Sequence, residues 1–168
     1  MACTKHWILD GYNVMHALNF VRPDLPFEIA RERFTSWVGQ FQALGDKVVT
    51  IVFDDNVHME CYQEVHPRVR TVYSPPGFNG DGAVLNIIRQ TTPSMRPYCC
   101  VVTRDLMLRD AILALKAMVI SPSAFADEFK AYRSHVDKRH TKNTTDFYRP
   151  FKLLFDQVNV NEKQNATD

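Results

Sequence analysis

The chain has no excess of charge of either sign. Its 20 Lys and Arg face 19 Asp and Glu, a formal net charge of +1. No global field therefore draws it to nucleic acid or to a membrane, and any anion-binding surface must come from local asymmetry. Cysteine is sparse. Cys3, Cys61, Cys99 and Cys100 form no C-x-x-C pair, which reads as reduced thiols of an intracellular protein and not as a disulfide framework. No apolar run approaches a membrane span and no apolar leader opens the chain, so no membrane partner and a cytoplasmic location are expected. The Asn-x-Thr matches at Asn143 and Asn165 are then read as chance. There is no Walker A run, no G-x-G-x-x-G, no G-x-S-x-G elbow and no convincing internal repeat.

What is present is an alternation of short β-branched runs with helical patterns. Trp7-Ile8-Leu9 is an apolar run that stops on Asp10-Gly11. Lys47–Phe53 ends on Asp54-Asp55, Arg68–Ser74 ends on Pro75-Pro76-Gly77, Tyr98–Arg104 ends on Asp105, and Met118–Ile120 is a short fifth run. Between them lie a loop from Met15 to Pro26 and helical patterns at Phe27–Leu44, Ala83–Gln90, Leu106–Ala117 and Pro122–Arg133. Strands alternating with helices predict an α/β fold, with helices on both faces of a mostly parallel sheet of about five strands. The polar stretch with His58, Cys61 and His66 has no spacing that matches a zinc site and reads as loop. Residues 1–134 are expected to form the domain. Residues 135–168 are expected to form a basic extension, with a helix at about Asp146–Phe155 and a disordered polar end.

Three of these strands end on aspartate, and Asp81 opens a crossover helix on the same edge. Open α/β sheets bind ligands at the carboxyl ends of their strands. Each Asp also has a plainer use: Asp10 before Gly suits a turn, and Asp81 or Asn79 suits a helix cap. If the acids converge, two unit charges about 5 Å apart repel by roughly 3 kcal/mol at an effective dielectric near 20. Several such pairs require protons or a cation, and an all-oxygen set suits Mg²⁺ or Mn²⁺. That is the logic of a metal-dependent nuclease. Asn13 and Thr103 stand where they could support such a site through hydrogen bonds. A haloacid-dehalogenase-type phosphotransferase would need an acid at Tyr12. A receiver domain would need a lysine where Ser121 and Pro122 stand.

The run Ile8-Leu9-Asp10-Gly11-Tyr12-Asn13-Val14 resembles the signature opening of the NYN domain family, in its YacP-like branch. The likeness continues through Ala30-Arg31, Val52-Phe53-Asp54, Val72-Tyr73-Ser74 with Gly77 and Asp81, and Val101-Val102-Thr103-Arg104-Asp105, covering roughly residues 6–130. The resemblance implies a PIN-like nuclease fold, a three-layer α/β/α sandwich. It implies a divalent-metal ribonuclease, with bacterial relatives that include a ribosome-associated endoribonuclease of messenger RNA. Carried onto this chain, Asp10, Asp81 and Asp105 would be the metal-binding acids, with Asn13 supporting and Asp54 an outer member. Two positions depart from the family pattern. Gly82 stands where a second acid is usual, and Arg104 where a Ser usually precedes the last Asp. A guanidinium there can pair with an acid or hold a phosphate.

Local charge points to the substrate. Lys130, Arg133, Lys138, Arg139, Lys142, Arg149 and Lys152 outnumber Asp137 and Asp146, with Tyr132, Phe147 and Tyr148 among them. Basic and aromatic side chains together suit single-stranded RNA. A solvated helix face would show the same composition. Arg31, on the first long helix, joins Arg104, Lys138 and Arg139 as a candidate RNA contact, and Arg68 and Arg70 could extend a basic rim. The expected activity is a Mg²⁺- or Mn²⁺-dependent endoribonuclease acting on single-stranded RNA, ribosome-associated by resemblance. Two other classes stay open: a non-enzymatic RNA- or ribosome-binding module with a weakened site, motivated by Gly82, and a nucleotide-binding or protein-interaction domain on the same fold.

Overall fold

A computed structural model of the chain describes residues 6–45, 47–54, 62–66, 69–74 and 80–147. For residues 62–66 and 137–147 it describes the backbone alone. The element that organises the rest is strand β1, His6–Asp10. It pairs in parallel with β2 (Val48–Asp54) on one side and with β5 (Cys99–Val102) on the other. Beyond β2 lie β4 (Val69–Ser74) and, antiparallel at the edge, β3 (Tyr62–His66). Beyond β5 lies β6, Met118–Ile120. The sheet order is β3-β4-β2-β1-β5-β6. The five parallel strands are those expected from the apolar runs. The sixth, β3, falls where the sequence read as loop. An edge strand pairs on one side only and need not be apolar, so Tyr-Gln-Glu-Val-His shows no run that would reveal it.

Helices cover both faces, giving the expected three-layer α/β/α sandwich. They are α1 (Gly11–Ala17), α2 (Phe27–Ala43), α3 (Gly80–Gln90), α4 (Leu106–Ala114) and α5 (Pro122–Phe147). A short 3₁₀ turn at Arg96–Tyr98 leads into β5. On α2, Ala30, Phe34, Val38 and Phe41 are buried at helical spacing, and Glu28 in the first turn complements the helix dipole. One face of the sheet is an aliphatic layer in which Ile8, Val52, Val72 and Val101 meet Val84 and Ile88 of α3 and Leu108 and Ile112 of α4. The other face is aromatic. The Trp7 ring centroid lies 5.3 Å from that of Phe41 and 5.4 Å from that of Phe125, and Trp37 meets Phe129 at 4.9 Å.

Four boundaries differ from those expected. Helix α1 occupies Gly11–Ala17, where the sequence reads as a turn and loop; seven residues are too few to show a helical period. Helix α3 begins at Gly80, so Asp81 lies inside its first turn. Helix α4 stops at Ala114, and Lys116 turns the chain into β6 with φ 67°. Helix α5 runs on to Phe147, past the expected stop at Arg133. The helix expected at Asp146–Phe155 overlaps that end, and residues 148–155 lie outside the described residues. Contacts divide the chain into two units, Met1–Lys130 and Ala131–Asp168. All six strands lie in the first. Among the described residues, no helix is long and apolar enough to cross a membrane.

Candidate active site

The strand order places the topological switch between β1 and β5. The chain leaves β1 toward β2 and β4, then returns across the sheet to β5 on the other flank. At such a point the loops after the two central strands part, leaving a crevice at the carboxyl edge. Asp10 ends β1 on one side of it, and Thr103-Arg104-Asp105 follows β5 on the other.

Hydrogen bonds tie the two sides together. The Thr103 hydroxyl donates to Asp10 Oδ2 at 2.9 Å, and its oxygen accepts the Asp105 backbone N–H at 3.0 Å. The amide thus helps to aim the hydroxyl proton at Asp10. Asn13 Oδ1 accepts the backbone N–H of Arg104 at 2.9 Å, so Asn13 acts as a strut between the turn after β1 and the turn after β5. Asp105 is the N-cap of α4, its Oδ1 accepting from the Leu108 N–H at 2.9 Å. Asp10 occupies the N-cap position of α1 without a side-chain cap bond of ordinary geometry, although the Asn13 amide favours its ionised form. The plainer roles read from the sequence and the convergence of acids therefore coexist: Asp10 and Asp105 both open helices, and both lie at the carboxyl edge, joined through Thr103.

Gly11 explains why the run after Asp10 needs glycine. A Cβ there would lie 2.5 Å from two ring carbons of Phe53 and 2.8 Å from the Val52 carbonyl oxygen. Only a bare Cα lets α1 start this close to β2.

Charge reports the remaining proximity. Burial pushes the Asp10 carboxyl up from 3.8 to about 6; the negative charges of Asp81 and Asp105 add to this, while the Thr103 hydrogen bond opposes it. Asp81 is also held above the ordinary carboxylate range, first by burial, then by Asp105 and Asp54. Asp54, at the end of β2, accepts a hydrogen bond from Ser74 Oγ at 3.1 Å. Four carboxylates from four elements thus share one edge: Asp81 and Asp105 act on Asp10, and Asp105 and Asp54 act on Asp81. Among the described residues, however, no three His, Cys, Asp or Glu side chains stand close enough to enclose one ion as they lie. The donor set is all oxygen, hard and mutually repelling, which fits a hard divalent cation in chemistry and charge. Such an ion would have to draw the carboxylates inward.

The basic candidates are dispersed. Arg104 is exposed beside Asp105. The Arg31 guanidinium lies over the Tyr73 ring at 5.5 Å and the Phe53 ring at 6.0 Å, at the ends of β4 and β2. Arg70 stands near the start of β4, and burial first, then the Arg70 charge, holds His6, at the start of β1, below the ordinary histidine range. It therefore belongs to the opposite edge of the sheet from Asp10. Lys138 and Arg139 lie on α5, but their side chains are outside the described residues, as are Arg68, His58 and Cys61. Cys99 and Cys100 are free and buried, and burial pushes the Cys100 thiol up to about 12. They are packing residues.

With this edge in view, the comparisons with known proteins are specific. The model of the YacP-like NYN domain matches residues 7–165. The chain belongs to the YacP-like NYN domain family. Among solved structures, it is similar to Rae1 (YacP) from Bacillus subtilis, with a TM-score of 0.67 and 20% identity over 98% of this chain and 96% of that one. A mutant form of the same Bacillus protein gives a TM-score of 0.68 and 20% identity over 89% and 90%. At that identity the likeness establishes the fold, which is PIN-like. No protein with a curated description matches the chain in sequence. The family match runs beyond residues 6–130 and takes in most of the basic C-terminal segment.

Proposed function

We propose that this chain is a divalent-metal-dependent endoribonuclease that hydrolyses phosphodiester bonds of single-stranded RNA. One observation carries the reading. At the switch point of a PIN-like sheet, the Asp10 carboxyl is pushed to about 6 by burial and by the charges of Asp81 and Asp105. An edge where neighbouring acids add their charges to an already buried carboxyl suits a cation. Asp10, Asp81 and Asp105 would hold Mg²⁺ or Mn²⁺, with Asp54 at the rim. When bound, such an ion polarises a phosphate and lowers the pKa of a water molecule. The chain's own residues set the stage. Thr103 orients Asp10, Asn13 fixes the turn that carries Asp105, and the helix cap fixes the Asp105 carboxylate. Arg104 and Arg31 supply positive charge for the RNA backbone. The family resemblance extends the proposal to cytoplasmic messenger RNA on the ribosome, which co-sedimentation with ribosomes tests.

The experiment is cleavage of a labelled single-stranded RNA by the purified full chain. Mg²⁺- or Mn²⁺-dependent cutting that EDTA stops, and that Asp10→Asn and Asp105→Asn both lose while remaining folded, supports the proposal. Equal cutting by both variants overturns it. Gly82, together with carboxylates that do not enclose one point, favours a second reading: an RNA-binding module without turnover. Binding of the same RNA with no metal-stimulated cutting selects it.

A further inference from the structure

The most exposed large apolar side chains described in this protein directly follow one of the acids of the carboxyl edge. Met107 is 82% and Leu106 is 62% exposed, and they directly follow Asp105 in the first turn of α4. Their backbone is fixed there, because the Asp105 side chain caps the helix at Leu108 N–H and its amide is bonded to Thr103. The sequence did not mark them. Leu-Met after an acid reads as the start of an ordinary amphipathic helix, and only the exposures show that this pair faces away from the core while Leu108 and Ile112 face in.

We infer that Leu106 and Met107 form an apolar step that seats one unpaired nucleobase of the RNA, next to the phosphate being cut. The inference rests on the nuclease reading and assigns it a substrate contact. Along four consecutive residues the chain offers a guanidinium (Arg104), a carboxylate (Asp105) and two apolar surfaces. A nucleotide presents the complementary chemistry in a phosphate and a flat base. Methionine suits the role, since its polarisable thioether makes favourable contacts with aromatic rings and adapts to different ones. The size of the patch also argues for a base over a protein. A stable protein interface buries roughly 800 Å² on each partner, far more than two side chains provide. The next exposed apolar residue on the helix, Leu113 (49% exposed), is two turns further on. The exposed Arg109–Asp110 ion pair lies between, so no continuous apolar stripe runs along α4.

The test measures binding apart from cutting. In the full chain carrying Asp10→Asn, with Mg²⁺ present, affinity for a short fluorescent single-stranded RNA is read by anisotropy. Met107→Ser and Leu106→Ser each weaken binding about three- to tenfold, whereas Leu113→Ser leaves it unchanged. An RNA with one abasic nucleotide reproduces the loss at one register, and Met107→Ser costs nothing further on that RNA. Unchanged affinity in both variants overturns the inference, as does equal weakening by Leu113→Ser or full additivity with the abasic RNA. A dimer that Met107→Ser dissociates also overturns it, by giving the step to a second copy of the chain. Normal cutting by the chain with Asp10 intact, alongside binding independent of residues 106 and 107, removes this inference alone. Failure of the chain with Asp10 intact to bind or cut the RNA removes the nuclease reading with it.

Discussion

Replacing Asp10 by Asn should make the metal-free protein more stable at neutral pH while abolishing cleavage. The Asp10 carboxyl rises from 3.8 to about 6 in the folded protein, so the folded state holds that proton to higher pH than the unfolded chain does. Below about pH 4 both states are protonated and the carboxyl costs nothing. Between about pH 4 and 6 the unfolded chain ionises first and folding loses stability; above about pH 6 the loss is complete, at about 3 kcal/mol. Asn keeps an oxygen that can accept the Thr103 hydrogen bond but cannot ionise, so it escapes this loss. Part of the burial cost also falls on the Asn amide, which sets the expected gain at about 1–3 kcal/mol. Urea unfolding reads it directly. With a slope of about 1–3 kcal/mol per molar for a small domain, the midpoint should rise by about 1 M at neutral pH, and the two proteins should converge near about pH 4. Adding Mn²⁺ should raise the wild-type midpoint and leave that of Asp10→Asn nearly in place, because a ligand stabilises only the state that binds it. An Asp10→Asn midpoint at or below wild type at neutral pH would refute the reasoning. The carboxylate would then not be held at a cost, and the electrostatic ground for a cation would be gone.

Two further substitutions probe the scaffold of the same edge. Gly11→Ala should destabilise the fold by about 1–3 kcal/mol, since its methyl group would lie 2.8 Å from the Val52 carbonyl oxygen and closer still to the Phe53 ring; an unchanged thermal midpoint would show that α1 yields where we hold it to be fixed. Thr103→Val removes both the donor to Asp10 and the acceptor for the Asp105 amide. It should lower cleavage and move the acidic limb of its pH profile upward, because the bond that favours ionised Asp10 is lost, while Thr103→Ser restores both; a profile that does not move would leave Thr103 a packing residue.

Asp10 was legible in the sequence because an apolar run stops on it, and an apolar run is what a central parallel strand requires. Asp54 and Asp105 were legible for the same reason, and Asp81 because it opens a helical pattern after a strand. The couplings among them were not. Thr103 and Asp10 lie 93 residues apart, and nothing in a linear pattern assigns a hydroxyl to one carboxylate. Asn13 could be placed near the site, but its bond to the Arg104 amide depends on how closely two loops approach, which the sheet order decides. Helix α1 and strand β3 escaped for opposite reasons. One is too short to show its period, although Gly11, Val14 and Met15 are buried on one face. The other sits at an edge where polarity carries no penalty. Arg70 shows the limit of charge counting, for it belongs to a basic pattern in sequence and stands toward the wrong edge in space.

Gly82 belongs to the same electrostatic argument. Asp81 already feels Asp105 and Asp54, and each added carboxylate at about 5 Å would cost roughly 3 kcal/mol more at an effective dielectric near 20. The acids that remain differ in how they are held. Thr103 binds Asp10, the Leu108 amide binds Asp105 and Ser74 binds Asp54, whereas Asp81 sits on the half-exposed first turn of α3. A glycine at 82 removes a charge from the turn of that least anchored acid. On the nuclease reading, the chain gives up one oxygen donor and keeps a set in which Asp10 and Asp105 are tied to each other through a single hydroxyl. The distance between those two is then set by covalent geometry and three short hydrogen bonds. On the nuclease reading, Asp81 is the acid with the most freedom to move toward a bound ion.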